Sequence, residues 1–208
     1  LLADGEAAVR VAAAEALARC ADEALVDPLR EALATEREAR VAAALLRALG
    51  RAGGDRVLDT LAAALDSAEL ERRVAAVEAL GLTESPRAVP HLRRALDGEL
   101  AEKHAAIRAL GDVADPAAEP VLRGCFDDPD PDVRRAAARA AIGIASSLDA
   151  GLVEALVRDP DPWVRVFGTR IAARRGPSAA AVLERIAGSD PSARVREEAR
   201  RALRQARG

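Results

Sequence analysis

Trp163, Phe167, Arg170 and Arg174 follow one another at steps of four, three and four residues, so a helix would set all four on one side. Trp163 is the only tryptophan among 208 residues, and tyrosine is absent. An indole beside guanidinium groups suits binding rather than bond breaking. The ring offers apolar area and a negative face, while arginine offers forked donors for carboxylate or phosphate. A plainer reading has Trp163 folded over neighbouring loops and Phe167 filling room left by Gly168. The sequence leaves both open.

Arginine also recurs at wider spacing. Arg108, Arg139, Arg170 and Arg201 stand 31 residues apart, preceded in the same series by Glu15, Arg47 and Glu78. The amino half alternates in sign and the carboxyl half is all arginine; Arg135 and His104 add to it. Such a row fits an acidic peptide, a phosphorylated partner or a nucleic-acid backbone. Its bland counterpart is a solvated helix face with counter-charges nearby.

Other chemistry finds little support. His91 and His104 are the only histidines, and without a cysteine close by they make no metal site. No Gly-x-Ser-x-Gly occurs, and Gly53-Gly54 lacks the Lys-Ser/Thr continuation of a phosphate cradle. We therefore assign no catalytic residue, metal or cofactor. The net charge of −3 argues against nucleic acid as the main partner, and no apolar run is long enough to span a bilayer. Cys20 and Cys125 lie too far apart to pair, read as small buried hydrophobes, and point to a reducing, cytoplasmic setting.

The row of arginines is one strand of a larger repetition. A leucine, or alanine in its place, closes seven similar segments: Leu17, Leu49, Leu80, Leu110, Ala141, Ala172 and Leu203. A period near 31 residues is the signature of stacked repeats that bury apolar faces against their neighbours. Each copy holds two helical stretches. The second, B, ends at the landmark, with positions eight, four, three and one before it on the apolar side and positions six and two before it pointing outward. The first, A, is represented by 27–33, 56–65, 89–96, 119–126, 152–157 and 180–187. Pro28, Pro90 and Pro120 then fall in the first turn of A, where a missing N–H is harmless. Gly50, Gly81 and Gly111, directly after their landmarks, suggest left-handed helix caps.

Charge keeps the same register. Thirteen before the landmarks stand Asp4, Glu36, Ser67, Asp97, Asp128, Asp159 and Asp190. Eleven before stand Glu6, Glu38, Glu69, Glu99, Asp130, Asp161 and Ser192. Seven before stand Arg10, Ala42, Arg73, Lys103, Arg134, Arg165 and Arg196. This predicts acids at helix N-termini and a continuous Asp/Glu–Arg ladder along one edge.

With these phrases in hand, 128–140 (DPDPDVRRAAARA), 158–166 (RDPDPWVRV) and 189–203 (SDPSARVREEARRAL) resemble the HEAT repeats of the short bacterial type also found in phycobilisome lyases. The resemblance implies an all-α α-solenoid, a superhelix of about seven antiparallel helix pairs with the first incomplete, and B helices along the concave side. It implies one domain over 1–208, expected to be part of a longer chain with a further N-terminal region or other domains. The function it favours is a non-catalytic scaffold for a protein partner, an acidic or phosphorylated segment, bound at Trp163, Phe167, Arg170, Arg174, Arg108, Arg135, Arg139 and Arg201. The alternatives are lyase-like or chaperone activity on a chromophore protein, and nucleic-acid binding of the kind seen in HEAT-like DNA glycosylases. Deoxyhypusine hydroxylases of this class carry His-Glu pairs, and neither histidine here precedes a glutamate.

Overall fold

The computed structural model describes residues 1–207. Among these, all regular structure is helical, and the chain divides into two compact units, Leu1–Val113 and Ala114–Gly208.

The first unit contains α1 (Ala7–Cys20), α2 (Val26–Thr35), α3 (Ala39–Gly53), α4 (Leu58–Ala64), α5 (Leu70–Leu82), α6 (Val89–Ala95) and α7 (Leu100–Val113). The odd-numbered helices are the B stretches and pack in sequence, α1 on α3, α3 on α5 and α5 on α7. The shorter A helices cover α3, α5 and α7 from behind. Residues 1–6 form no helix.

The second unit contains α8 (Glu119–Arg123), α9 (Pro131–Ala140), α10 (Ala150–Leu156), α11 (Pro162–Arg174), α12 (Ala180–Ser189) and α13 (Ala193–Arg207). Here α11 packs on both α9 and α13, while α10 and α12 back onto α11 and α13. Between α9 and α10 the chain makes a 3₁₀ turn over Ala141–Ile144 and an irregular link, whose Ala145 and Leu148 carbonyls accept from the Arg175 guanidinium.

Alanine decides how closely these helices pack. Ala42, Ala43, Ala48, Ala75, Ala76 and Ala79 are sealed in the first unit, as are Ala137, Ala138, Ala141 and Ala172 in the second. Alanine gives up no side-chain freedom in a helix and allows short interaxial distances, so a core nearly free of aromatics still fills its space. The outward positions divide. Two before the landmark, Glu15, Arg108, Arg139, Arg170 and Arg201 are exposed, but six before it Val11, Ala43 and Val166 are buried. The former row is exposed except at half-buried Arg47 and Glu78.

The glycines after the landmarks are not caps. Gly50 and Gly81 lie inside α3 and α5, Gly111 inside α7, and the left-handed residues come later, at Ala21, Gly54, Glu84, Ala114 and Gly176. Their role is contact. A Cβ on Gly50 would stand 2.4 Å from the Ala79 carbonyl oxygen, and one on Gly81 would stand 2.7 Å from the Ala109 Cβ. The helices continue past the landmark because the next B helix packs against that extra turn.

Helix starts follow the side chains available. Pro90 and Pro120 sit in the first turns of α6 and α8, and Pro28 is the third residue of α2, as read from the sequence. Asp130 and Asp161 cap α9 and α11 by accepting backbone N–H groups. Glu6, Glu38 and Glu69, at the same positions before α1, α3 and α5, do not cap. The extra methylene carries glutamate beyond the short ring that aspartate closes. Cys125 is buried, but Cys20 lies exposed in the last turn of α1, correcting the expectation of two buried thiols.

Candidate functional site

Most of the charge of the loops is spent within the fold. The arginine seven before the landmark turns back onto its own loop and reaches forward to an acid of the next copy. Arg165 donates from Nη1 to the carbonyl oxygens of Asp159 (2.9 Å) and Pro160 (3.1 Å), and from Nε and Nη2 to both oxygens of Asp190 (2.9 and 3.1 Å). Arg134 does the same with Asp128, Pro129 and the Asp159 carboxylate. In the first unit Arg10 binds the Asp4 and Gly5 carbonyls and forks onto Glu36. The acid meanwhile accepts the N–H two residues on, as Asp159 does from Asp161 and Asp190 from Ser192. One side chain therefore fixes two loops, and its forked geometry is what lysine lacks.

The ladder is not continuous. Ala42 has no donor and is fully buried, so the second copy lacks this step. Arg72 stands in, donating from Nη2 to the Glu36 carbonyl at 3.0 Å. It does so from eight before the landmark, where Val9, Val41, Val133, Val164 and Val195 occur in other copies. Glu102 breaks the same valine column. It is 5% exposed, takes the forked bond of Arg73 and accepts the Glu99 N–H, the place Asp97 was expected to fill. Lining up the copies by this column would have flagged both residues from sequence.

Glu36, Glu102 and Asp161 are held acidic by their arginine partners. The Arg10 hydrogen bond lowers Glu36 against the opposing effect of burial, and Arg73 does likewise for Glu102. Asp161 falls from an ordinary 3.8 to about 2, chiefly through its hydrogen bond from Arg135, helped by the Val164 and Trp163 N–H groups. A depressed carboxyl contributes stability that is complete above its ordinary value and lost as pH falls through its folded value. Melting temperature should therefore drop between about pH 4 and pH 2, with Asp161 contributing about 1 kcal/mol after solvent screening. Far-UV dichroism melts across that range, with Asp161→Asn flattening part of the slope, check this.

Beside this framework lies the face singled out by sequence. Trp163 is 41% exposed, among the few large hydrophobic side chains that are. Its ring is tilted 31° from that of half-buried Phe167, with centroids 6.4 Å apart. Arg194 lies over the indole at 4.2 Å and Arg170 over the phenyl ring at 5.8 Å. The sequence reading missed Arg194, although it stands at the place of Trp163 one period later. Phe167 does not fill room left by Gly168. A Cβ there would meet the Leu156 backbone at 2.9 Å and Val157 N at 3.0 Å, so the glycine admits the end of α10.

The arginine row separates into engaged and open members. In the first unit Glu78 is gripped from both sides, by Arg47 at 2.8 Å and by Arg108. Burial pushes the Glu78 carboxyl up, but the two guanidinium groups outweigh it and hold it low. Arg108 is thus spent on Glu78, in a different unit from the tryptophan. In the second unit Arg170 forks onto Glu198, at 2.8 and 3.4 Å, and Arg135 joins Asp132 to Asp161. Arg139 and Arg201 are exposed and make no ion pair among the described residues. Arg174, also exposed, makes a single hydrogen bond among the described residues, to the Ile142 carbonyl at 3.4 Å. So α9, α11 and α13 bring together Trp163, Phe167, Arg135, Arg139, Arg170, Arg174 and Arg201, and leave Arg108 outside.

A family model of HEAT repeats matches residues 1–76, 26–102 and 97–165. The chain belongs to the HEAT-repeat family. Its similarity to the complex of CpcE and CpcF of phycocyanin lyase from Nostoc sp. PCC7120 covers 100% of this chain and 85% of that one, at 24% identity and a TM-score of 0.59. An engineered protein, a structural-genomics target, is similar at 24% identity and a TM-score of 0.54, over 100% of this chain and 94% of its own. No curated protein matches the sequence. These likenesses bear out the all-α solenoid class of this HEAT-repeat chain and the resemblance to lyase-type HEAT repeats. No helix among the described residues is long and apolar enough to cross a membrane.

Proposed function

We propose that this HEAT-repeat chain is a non-catalytic interaction scaffold, and that its second unit binds a protein partner over α9, α11 and α13. The observation that carries this reading is Trp163, an exposed aromatic that lies under Arg194 and beside Phe167, with unpaired arginines on the same three helices. Exposed tryptophan and arginine are the side chains on which binding energy concentrates. The engaged carboxylates Glu78 and Glu198 favour this reading over a nucleic-acid track along the whole arginine row.

Alanine at Trp163 and Arg170 together is expected to weaken capture of the native partner roughly thirtyfold or more, the cost of a hot-spot pair, with helicity unchanged. Quantitative pull-down against far-UV dichroism checks both halves. Undiminished capture by the folded double variant would exclude this face.

A second reading comes from the likeness to CpcE and CpcF, whose complex is described as that of a phycocyanin lyase. It has this chain act on a chromophore protein. A shifted absorption spectrum on mixing with a linear tetrapyrrole would favour it, and an unaltered spectrum would dismiss it.

A further inference from the structure

We propose that the partner presents an acidic segment whose carboxylates occupy the guanidinium groups of Arg139, Arg174 and Arg201, filling the places that Glu78 and Glu198 fill elsewhere in the chain. This rests on the scaffold reading above and adds the chemistry of what is bound.

The row shows its chemistry where it is satisfied. Arg47 and Arg108 meet one glutamate of the same row, and Arg170 on α11 takes both oxygens of Glu198 on α13. At this position, then, the guanidinium repeatedly projects so as to receive a carboxylate from the side. Arg139 and Arg201 occupy the same position on α9 and α13 and receive none among the described residues. Arg174, one turn beyond Arg170 on α11, has a single long contact to a backbone carbonyl.

No local acid is available to answer them. The acids of α9, α11 and α13 are Asp132, Glu197 and Glu198, held by Arg135, Arg204 and Arg170 respectively. The face therefore keeps a local positive excess although the chain as a whole is acidic. Successive B helices stand about 10 Å apart, a distance that three residues of an extended chain or seven of a helix also cover. A segment rich in glutamate or aspartate can thus answer Arg139 and Arg201 while passing Arg174. Trp163 and Phe167, at the other end of α11, would take an apolar side chain of the same segment. Carboxylate is favoured over phosphate because the row already shows the carboxylate geometry, repeated on two glutamates.

The single tryptophan makes the test direct, since all indole fluorescence reports this face. The full chain is titrated at low salt with end-blocked decaglutamate, decaglutamine and a serine-phosphorylated decapeptide lacking acidic side chains. Saturable change with decaglutamate, none with decaglutamine, and affinity falling about tenfold or more in the Arg139→Ala/Arg174→Ala/Arg201→Ala variant is the expected result. Added salt should weaken the same binding. Equal affinity in the triple variant, or no saturable change with decaglutamate, would overturn the proposal. Binding of the phosphopeptide alone would overturn it too, by assigning the arginines to phosphate. Arg93→Ala, an exposed change on α6, serves as the charge control and should leave the affinity as it was. If decaglutamate fails while the Trp163/Arg170 variant still loses the native partner, the carboxylate claim falls and the scaffold reading survives.

Discussion

Arg165→Ala should cost about 3–5 kcal/mol of stability, as removal of one member of a buried, hydrogen-bonded ion pair does. Its side chain and that of Asp190 are 10% and 6% exposed, so water cannot replace what is lost. The substitution strands the Asp190 carboxylate and also deprives the Asp159 and Pro160 carbonyls of their donor. Those carbonyls end the link that positions the first turn of α11, so the damage should reach the tryptophan face. Arg165→Lys keeps the charge but not the fork, and is expected to recover only part of the loss. Urea unfolding followed by dichroism measures all three proteins. A loss below about 1 kcal/mol would mean that the ladder behaves like an ordinary surface pair.

Leu80→Ala is expected to cost about 2–5 kcal/mol, the range for deleting a buried leucine side chain whose surroundings relax incompletely. Leu80 is fully buried in α5, between α3 and α7 in the packing order. The second unit shows that alanine at a landmark is not harmful in itself. Ala172 holds the equivalent place, fully buried, but is preceded by Ile171, where most copies have alanine. There the large side chain has moved one position along the helix. Around Leu80 the preceding residue is Ala79, whose carbonyl is in close approach to Gly50, so the first unit has no comparable replacement. Urea midpoints of Leu80→Ala against the parent protein check this, and a shift within error would contradict a close-packed landmark column.

Why some of this was legible in sequence and some was not follows from how local each feature is. The B helices, the apolar column and the proline starts depend on contacts within a few residues of one helix, so spacing alone reveals them. The ladder was legible as a register of charges, because a repeat carries its donor and its neighbour's acceptor at fixed offsets. Its gap at Ala42 was visible, but not the answer to it. Arg72 reaches Glu36 across a distance of 36 residues, which no offset rule within one copy contains. Gly50 and Gly81 looked like caps because glycine after a helix usually is one, and only the neighbouring helix shows that they are contacts. The candidate face divides in the same way. The alignment of Trp163, Phe167, Arg170 and Arg174 is helical geometry. That Arg170 is held by Glu198, and Arg108 by Glu78, while Arg139 and Arg201 are open, depends on which helices stand side by side.

That division of the arginines into engaged and open groups underlies both the stability of the chain and its proposed binding face. Guanidinium Nε–H NMR of ¹⁵N-labelled protein tests it residue by residue. The Nε–H signals of Arg10, Arg73, Arg134 and Arg165 should be dispersed and slow to exchange with water, and those of Arg139, Arg174 and Arg201 clustered and fast. Arg139 and Arg201 as protected as Arg165 would contradict the account, because the face would then have no free guanidinium to offer.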